Sequence, residues 1–165
     1  MKKGLFIALM LTVSAAFNAK AQVLIGGNIG IGNAPDGGIS LYVAPDVSYR
    51  LNNNFVAGGQ LYYRTGYDRV GVTPYARWHI LPIGGSAFSI FLSATAPCEF
   101  YGGGSTVSIR LRPGLTLRIN DNVYLVANVG YTGYSWSFSN GKVVSSGWYS
   151  QFNGDSINIG FCFAI

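Results

Sequence analysis

From Ile39 to Leu51 the side chains alternate in character at every step. Ile39, Leu41, Val43, Pro45, Val47, Tyr49 and Leu51 fall on one face, with Ser40, Tyr42, Ala44, Asp46, Ser48 and Arg50 on the other. A period of two is the signature of an extended strand with two unlike faces, and a helix cannot use it. The pattern returns over 70–81, where Val70, Val72, Pro74, Ala76, Trp78 and Ile80 oppose Gly71, Thr73, Tyr75, Arg77 and His79. Over 107–119, Val107, Ile109, Leu111, Leu115, Leu117 and Ile119 oppose Ser108, Arg110, Arg112, Thr116 and Arg118. Phe55–Arg64, Ala87–Phe100, Val123–Tyr134, Ile157–Ile165 and, more weakly, Val23–Gly32 read the same way. These eight segments predict an all-β chain.

Alternation alone fits a soluble sandwich as well as a barrel in lipid, and the charges decide between them. Only 10% of residues are charged, against about a quarter in an ordinary soluble domain. After position 21 the chain has one Lys, Lys142, and one Glu, Glu99. Six of the seven arginines lie on the polar face of a predicted strand. The apolar face carries no charge, as contact with hydrocarbon requires. The expected fold is therefore an eight-stranded antiparallel up-and-down transmembrane β-barrel with its charges enclosed. Arg suits such an interior because its planar fork satisfies several acceptors and is weakly hydrated. Aromatic residues of the apolar face gather toward strand ends, as interfacial girdles do. Tyr49, Phe55, Trp78, Phe88, Phe161 and Phe163 are expected at one rim, and Tyr63, Phe100 and Tyr131 at the other.

The first 21 residues read as an export signal. Lys2 and Lys3 precede an apolar run, Leu5–Val13, and the small-residue triplet Ala19, Lys20, Ala21 marks a cut before Gln22. The run is shorter than the ~20 residues that a spanning helix needs. The predicted domains are thus a cleaved signal peptide, 1–21, and a barrel, 22–165. Removal of three lysines leaves eight basic residues against six acidic ones, without a Lys/Arg cluster of the kind that nucleic acid demands. No nucleic-acid partner is expected.

Connections alternate in length. Asn52–Asn54, Ile83–Gly85 and Asn120–Asn122 are short; Asn33–Gly38, Thr65–Arg69, Tyr101–Ser105 and a long Ser135–Gly154 loop lie between them. Outer-membrane barrels have short periplasmic turns and longer outer loops, which puts both termini in the periplasm. The pair Asn140-Gly141 signals a hairpin that rises beyond the membrane, and a second pair, Asn153-Gly154, leaves the start of the eighth strand open.

With its signal peptide, eight alternating segments, Asn- and Gly-rich turns and closing Ile157, Ile159, Phe161, Phe163, the chain resembles the small outer-membrane β-barrel proteins of the OmpA/OmpX type. The resemblance covers the whole predicted mature chain. It implies a Gram-negative outer membrane with its lipids, lipopolysaccharide included, and insertion by the barrel-assembly machinery. Such barrels usually end on an aromatic residue; here Ile165 is last and Phe163 stands two before it.

Asp46, Arg50, Arg64, Arg77, His79, Glu99, Arg110, Arg112 and Arg118 are the expected lumen charge network, since buried charges must be paired. Glu99 and Arg110 flank the Gly102–Gly104 turn close to a cross-strand register and are the expected pair. Arg64, Arg69 and Lys142 at the outer rim are candidates for lipid-phosphate contact. Trp136, Phe138, Trp148, Tyr149 and Phe152 in the long loop are candidates for contact with a surface protein or glycan. His79 is expected as a hydrogen-bonded interior residue, and no catalytic constellation, metal site or cofactor is predicted. Cys98 and Cys162 are expected at opposite ends and on opposite faces, too far apart for a disulfide. The glycines of Gly27–Gly32 lack a phosphate-loop order and suit a tight strand. Three roles stand: a non-enzymatic outer-membrane barrel for envelope integrity or surface interaction, a narrow anion-preferring channel or lipid-binding barrel, and a secreted soluble β-barrel or sandwich.

Overall fold

Alternating sequence becomes alternating burial over much of the sheet. The structure, a computed structural model, describes residues 22–33, 37–66, 68–81, 86–152 and 157–165. The expected export signal, the Ile83–Gly85 turn and the Asn153-Gly154 pair lie outside the described residues. The strands are β1 (Gln22–Asn33), β2 (Ile39–Arg50), β3 (Phe55–Arg64), β4 (Arg69–His79), β5 (Phe88–Thr95), β6 (Cys98–Tyr101), β7 (Gly104–Arg118), β8 (Val123–Val129), β9 (Tyr131–Ser139), β10 (Lys142–Gln151) and β11 (Ile157–Ala164). They make eight antiparallel staves, because β5 with β6, β8 with β9, and β10 with β11 are interrupted single staves. Each stave pairs with its chain neighbours, and β1 closes the barrel on β11.

In β2 the odd-numbered residues from Ile39 to Tyr49 are exposed, while Ser40, Ala44, Asp46 and Ser48 are buried. Exposed here means outside the barrel: Ile, Leu, Val and Phe clothe that surface, with Trp78 and Tyr63 among them. This is the inversion of a soluble protein, and it defines a transmembrane β-barrel.

Three prolines on the outer face explain where the ladders break, since proline has no N–H to give. The β2–β3 register skips the positions around Pro45. The switch from β5 to β6 along β4 falls at Pro74, and the switch from β8 to β9 along β7 falls at Pro113. Opposite Pro113 the chain bulges at Gly130, whose φ is +67°. The bulge adds one residue, and every side chain beyond it changes face. Tyr131, expected in the outer girdle, turns into the lumen beside Arg110 and Arg112.

The expected long loop is also corrected. Most of 135–151 is strand: β9 and β10 form a hairpin turned by Asn140 and Gly141, with φ of 51° and 74°. Positive φ at both positions is what a tight two-residue turn requires. The tip stays level with the β6–β7 turn, to which Ser139 Oγ donates at Gly103 O over 3.3 Å. At the opposite end Asn side chains make the turns: Asn52 Oδ1 accepts from the N–H groups of Asn54 and Phe55, and Asn120 Oδ1 from that of Asn122.

Candidate functional site

The lumen has two unlike halves. Nearest the described N-terminus it is packed shut by Leu24, Val56, Phe91, Tyr124 and Val126, with Cys162 and Ala164. Phe91, 1% exposed, lies over Gly114 of β7, where an added Cβ would overlap its ring. Arg77 stacks on this plug, its guanidinium 4.5 Å from the Phe91 centroid and 5.0 Å from that of Tyr75. Arg50 stacks on Tyr124 at 5.0 Å. Aromatic faces thus hold cations that have no ion-pair partner among the described residues. His79 is buried, with Nδ1 2.8 Å from Ser89 Oγ, and that hydroxyl donates to the Leu81 carbonyl. The pair is sealed from solvent, so its arrangement is that of an interior hydrogen bond.

Midway up, Asp46 is 3% exposed and is held by neutral donors: Gln60 Nε2 donates to Oδ2 and the Tyr75 hydroxyl to Oδ1, each over 2.9 Å.

The other half is polar and open. Glu99 accepts from Arg110 at 2.8 Å and pairs with Arg69 at 3.4 Å. The expected pair therefore forms, but the expected register does not, because Glu99 faces Thr106 and Arg110 faces Thr95. The length of the arginine spans the four-residue offset. Arg110 Nε also donates to the Tyr149 hydroxyl, and its guanidinium lies 4.9 Å from the Tyr131 centroid. Arg64 Nε donates to Ser40 Oγ over 2.9 Å. Arg64, Arg69, Arg110 and Arg112 border a cavity of about 170 Å³ in which Glu99 is the one carboxylate among the described lining residues.

All nine residues of the expected network face the lumen, but they form separate tiers. Arg118 is inward, half-buried, near the plugged end. The rim trio is divided. Arg64 and Arg69 turn toward the cavity, Arg69 being the first residue of β4 and not a loop residue. Lys142 opens β10, exposed at the hairpin tip.

The loop aromatics are divided too. Tyr134 joins Trp136 and Trp148 on the outer surface, with centroids 4.8 and 5.5 Å away. Tyr149 points inward to Arg110, Phe138 sits opposite Ser105 and Val143, and Phe152 is exposed near Gly130. Cys98 is half-buried on the outward parity and Cys162 is buried in the plug; both are free thiols. Sequence reasoning missed the tyrosines of the cavity, Tyr42, Tyr62 and Tyr131. The inward parity of Tyr42 and Tyr62 was a readable signal.

No protein-family model matches the chain, and no curated protein matches it. Among solved structures, the N-terminal β-barrel domain of Pseudomonas aeruginosa OprF is similar, with a TM-score of 0.51 and 10% identity over 88% of this chain and 96% of that one. Neisserial surface protein A is also matched, with a TM-score of 0.38 and 15% identity over 87% of this chain and 93% of that one. The likeness to the OprF domain is one of fold. The chain has the fold of the small eight-stranded outer-membrane β-barrels.

Proposed function

We propose that the protein is a non-enzymatic outer-membrane barrel acting in envelope integrity or surface interaction. It would be exported by its N-terminal signal, inserted by the barrel-assembly machinery and oriented with both termini in the periplasm. The observation that supports this most is the uncharged outer face: Ile31, Leu41, Val47, Leu61, Ile109 and Phe161 are all exposed there, while the arginines of the strands point inward. In the proposed orientation the polar cavity and the Tyr134–Trp136–Trp148 cluster face outward, where lipids such as lipopolysaccharide, a protein or a glycan meet them. Gel mobility in SDS before and after boiling tests the reading on protein taken from isolated outer membranes. A shift on heating is expected. A protein recovered in soluble fractions with no shift would replace the reading with a secreted barrel.

The arginine excess favours a second role, a narrow anion-preferring channel. The plug opposes it, since Leu24, Val56, Phe91, Tyr124 and Val126 pack together across the lumen at that end. Planar-bilayer recordings are expected to show no resolved openings; steady anion-selective steps would install the channel role.

A further inference from the structure

Among the described residues that line the cavity, basic side chains outnumber acidic ones. Four arginines border it against Glu99, and Glu99 already engages Arg69 and Arg110. Of the remaining two, Arg64 donates to Ser40 Oγ, and Arg112 has no carboxylate beside it among the described residues. Among the described residues its Nε, like those of Arg50 and Arg77, has no hydrogen-bond partner, and the Tyr131 ring lies 5.8 Å from its guanidinium. An arginine without a carboxylate beside it is costly to bury, and the cavity that Arg112 borders gives an anion room to reach its guanidinium.

We propose that this cavity binds a phosphate-bearing group, anchored by Arg112 with Arg64 flanking it and the side chains of Tyr42, Gln60 and Asn158 available as donors. The inference rests on the outer-membrane barrel reading. Phosphate suits the site because the guanidinium fork matches its oxygens in pairs. The volume of about 170 Å³ fits a headgroup rather than a whole lipid or a sugar chain. The cavity also reaches Gly30, Ile31 and Ile157, at the seam where the described β1–β11 ladder ends with Ile29 opposite Ile159. Ile31 and Ile157 are outward residues, 70% and 45% exposed. The phosphate is thus sought both as a free ion and as a lipid headgroup, since the lining includes residues of the outer face.

Calorimetric titration of the folded chain in nonionic micelles, with inorganic phosphate and separately with dodecyl phosphate, tests this. Saturable binding is expected, weakened on the order of tenfold or more in Arg112→Gln, since a hydrogen bond to a charged group contributes about 1.5–3 kcal/mol. Arg118→Gln, outside the cavity, leaves it unchanged. Arg112→Lys, which keeps the charge and loses the fork, binds with intermediate strength and serves if the glutamine variant does not fold. Tighter binding of dodecyl phosphate assigns the site to leaflet lipid; equal or tighter binding of inorganic phosphate assigns it to a soluble anion. A heat-modifiable barrel that binds neither probe, or whose binding survives Arg112→Gln unchanged, overturns the site while the barrel reading stands. Absence of the heat shift in the same samples would instead remove the barrel reading.

Discussion

Glu99 and Arg110 meet at 2.8 Å although the sheet register sets each of them opposite a different threonine. Glu99 also serves Arg69, so one carboxylate restrains two guanidinium groups at the mouth of the lumen. Glu99→Gln leaves both cations facing each other and Arg112. Breaking a buried pair from one side costs about 3–5 kcal/mol; the partial exposure of Arg69 lowers the expectation here to roughly 2 kcal/mol. Urea unfolding in lipid vesicles should show that loss. In a double-mutant cycle, Glu99→Gln with Arg110→Gln should show a coupling of about 1 kcal/mol or more. Additive effects would mean that the pair contributes nothing to stability.

Asp46 is a carboxylate held by an amide and a phenol. Asp46→Ala strands two buried donors, each at a cost of about 1–3 kcal/mol. Asp46→Asn keeps a carbonyl oxygen for one donor, and the Tyr75 hydroxyl can accept from its new amide. The alanine variant should therefore unfold at clearly lower denaturant than the asparagine variant. Equal midpoints would show that the cost lies in lost volume and not in unmet hydrogen bonds.

Parity made most of this architecture readable in the sequence. Phe55–Arg64 is a strand with the bounds its alternation implies, and each arginine of the polar face points into the lumen because a strand has only two faces. What parity cannot carry is a change of phase. One residue of bulge at Gly130, opposite a proline that offers no N–H, moved Tyr131 from the expected girdle to the cavity. Over Lys142–Gln151 the chain is KVVSSGWYSQ, with too few apolar residues to show a period and a register shift between Val143 and Ser145. It read as loop for that reason. Partners were harder than faces: the Glu99–Arg110 contact depends on side-chain reach across four residues of register, which alternation does not record.

Gly130 carries that change of phase at a φ of +67°, and a Cβ built there would overlap the Phe152 ring. Gly130→Ala should cost about 1–2 kcal/mol from the left-handed backbone alone, with more from displacing Phe152. Pro113→Ala, which restores an N–H on the facing strand, is expected to be tolerated far better. Hydrogen exchange at Tyr131 and Thr132 reports the outcome. Faster exchange in Gly130→Ala, with little change in Pro113→Ala, is expected, and undisturbed protection in both would show that the bulge does not depend on glycine.

Leu111 distinguishes a barrel in lipid from a barrel in water. It lies near the middle of β7, outward, 45% exposed, with Ile109 and Leu115 on the same face. On a soluble protein an exposed leucine replaced by arginine changes stability by about 0.5 kcal/mol at most. At the midplane of a bilayer the same change costs roughly 2–4 kcal/mol, because the charge must reach the interface or draw water to itself. Leu111→Arg should therefore lower the stability of the barrel in vesicles by that larger amount. Ile31→Arg, close to the end of its strand, should cost less, since the penalty falls toward the interface. A graded pair of losses in vesicles that vanishes in a short-chain detergent would identify hydrocarbon as the solvent of this face. Equal, negligible losses in both media would assign the face to water and turn the inward arginines into the unexplained feature of the fold.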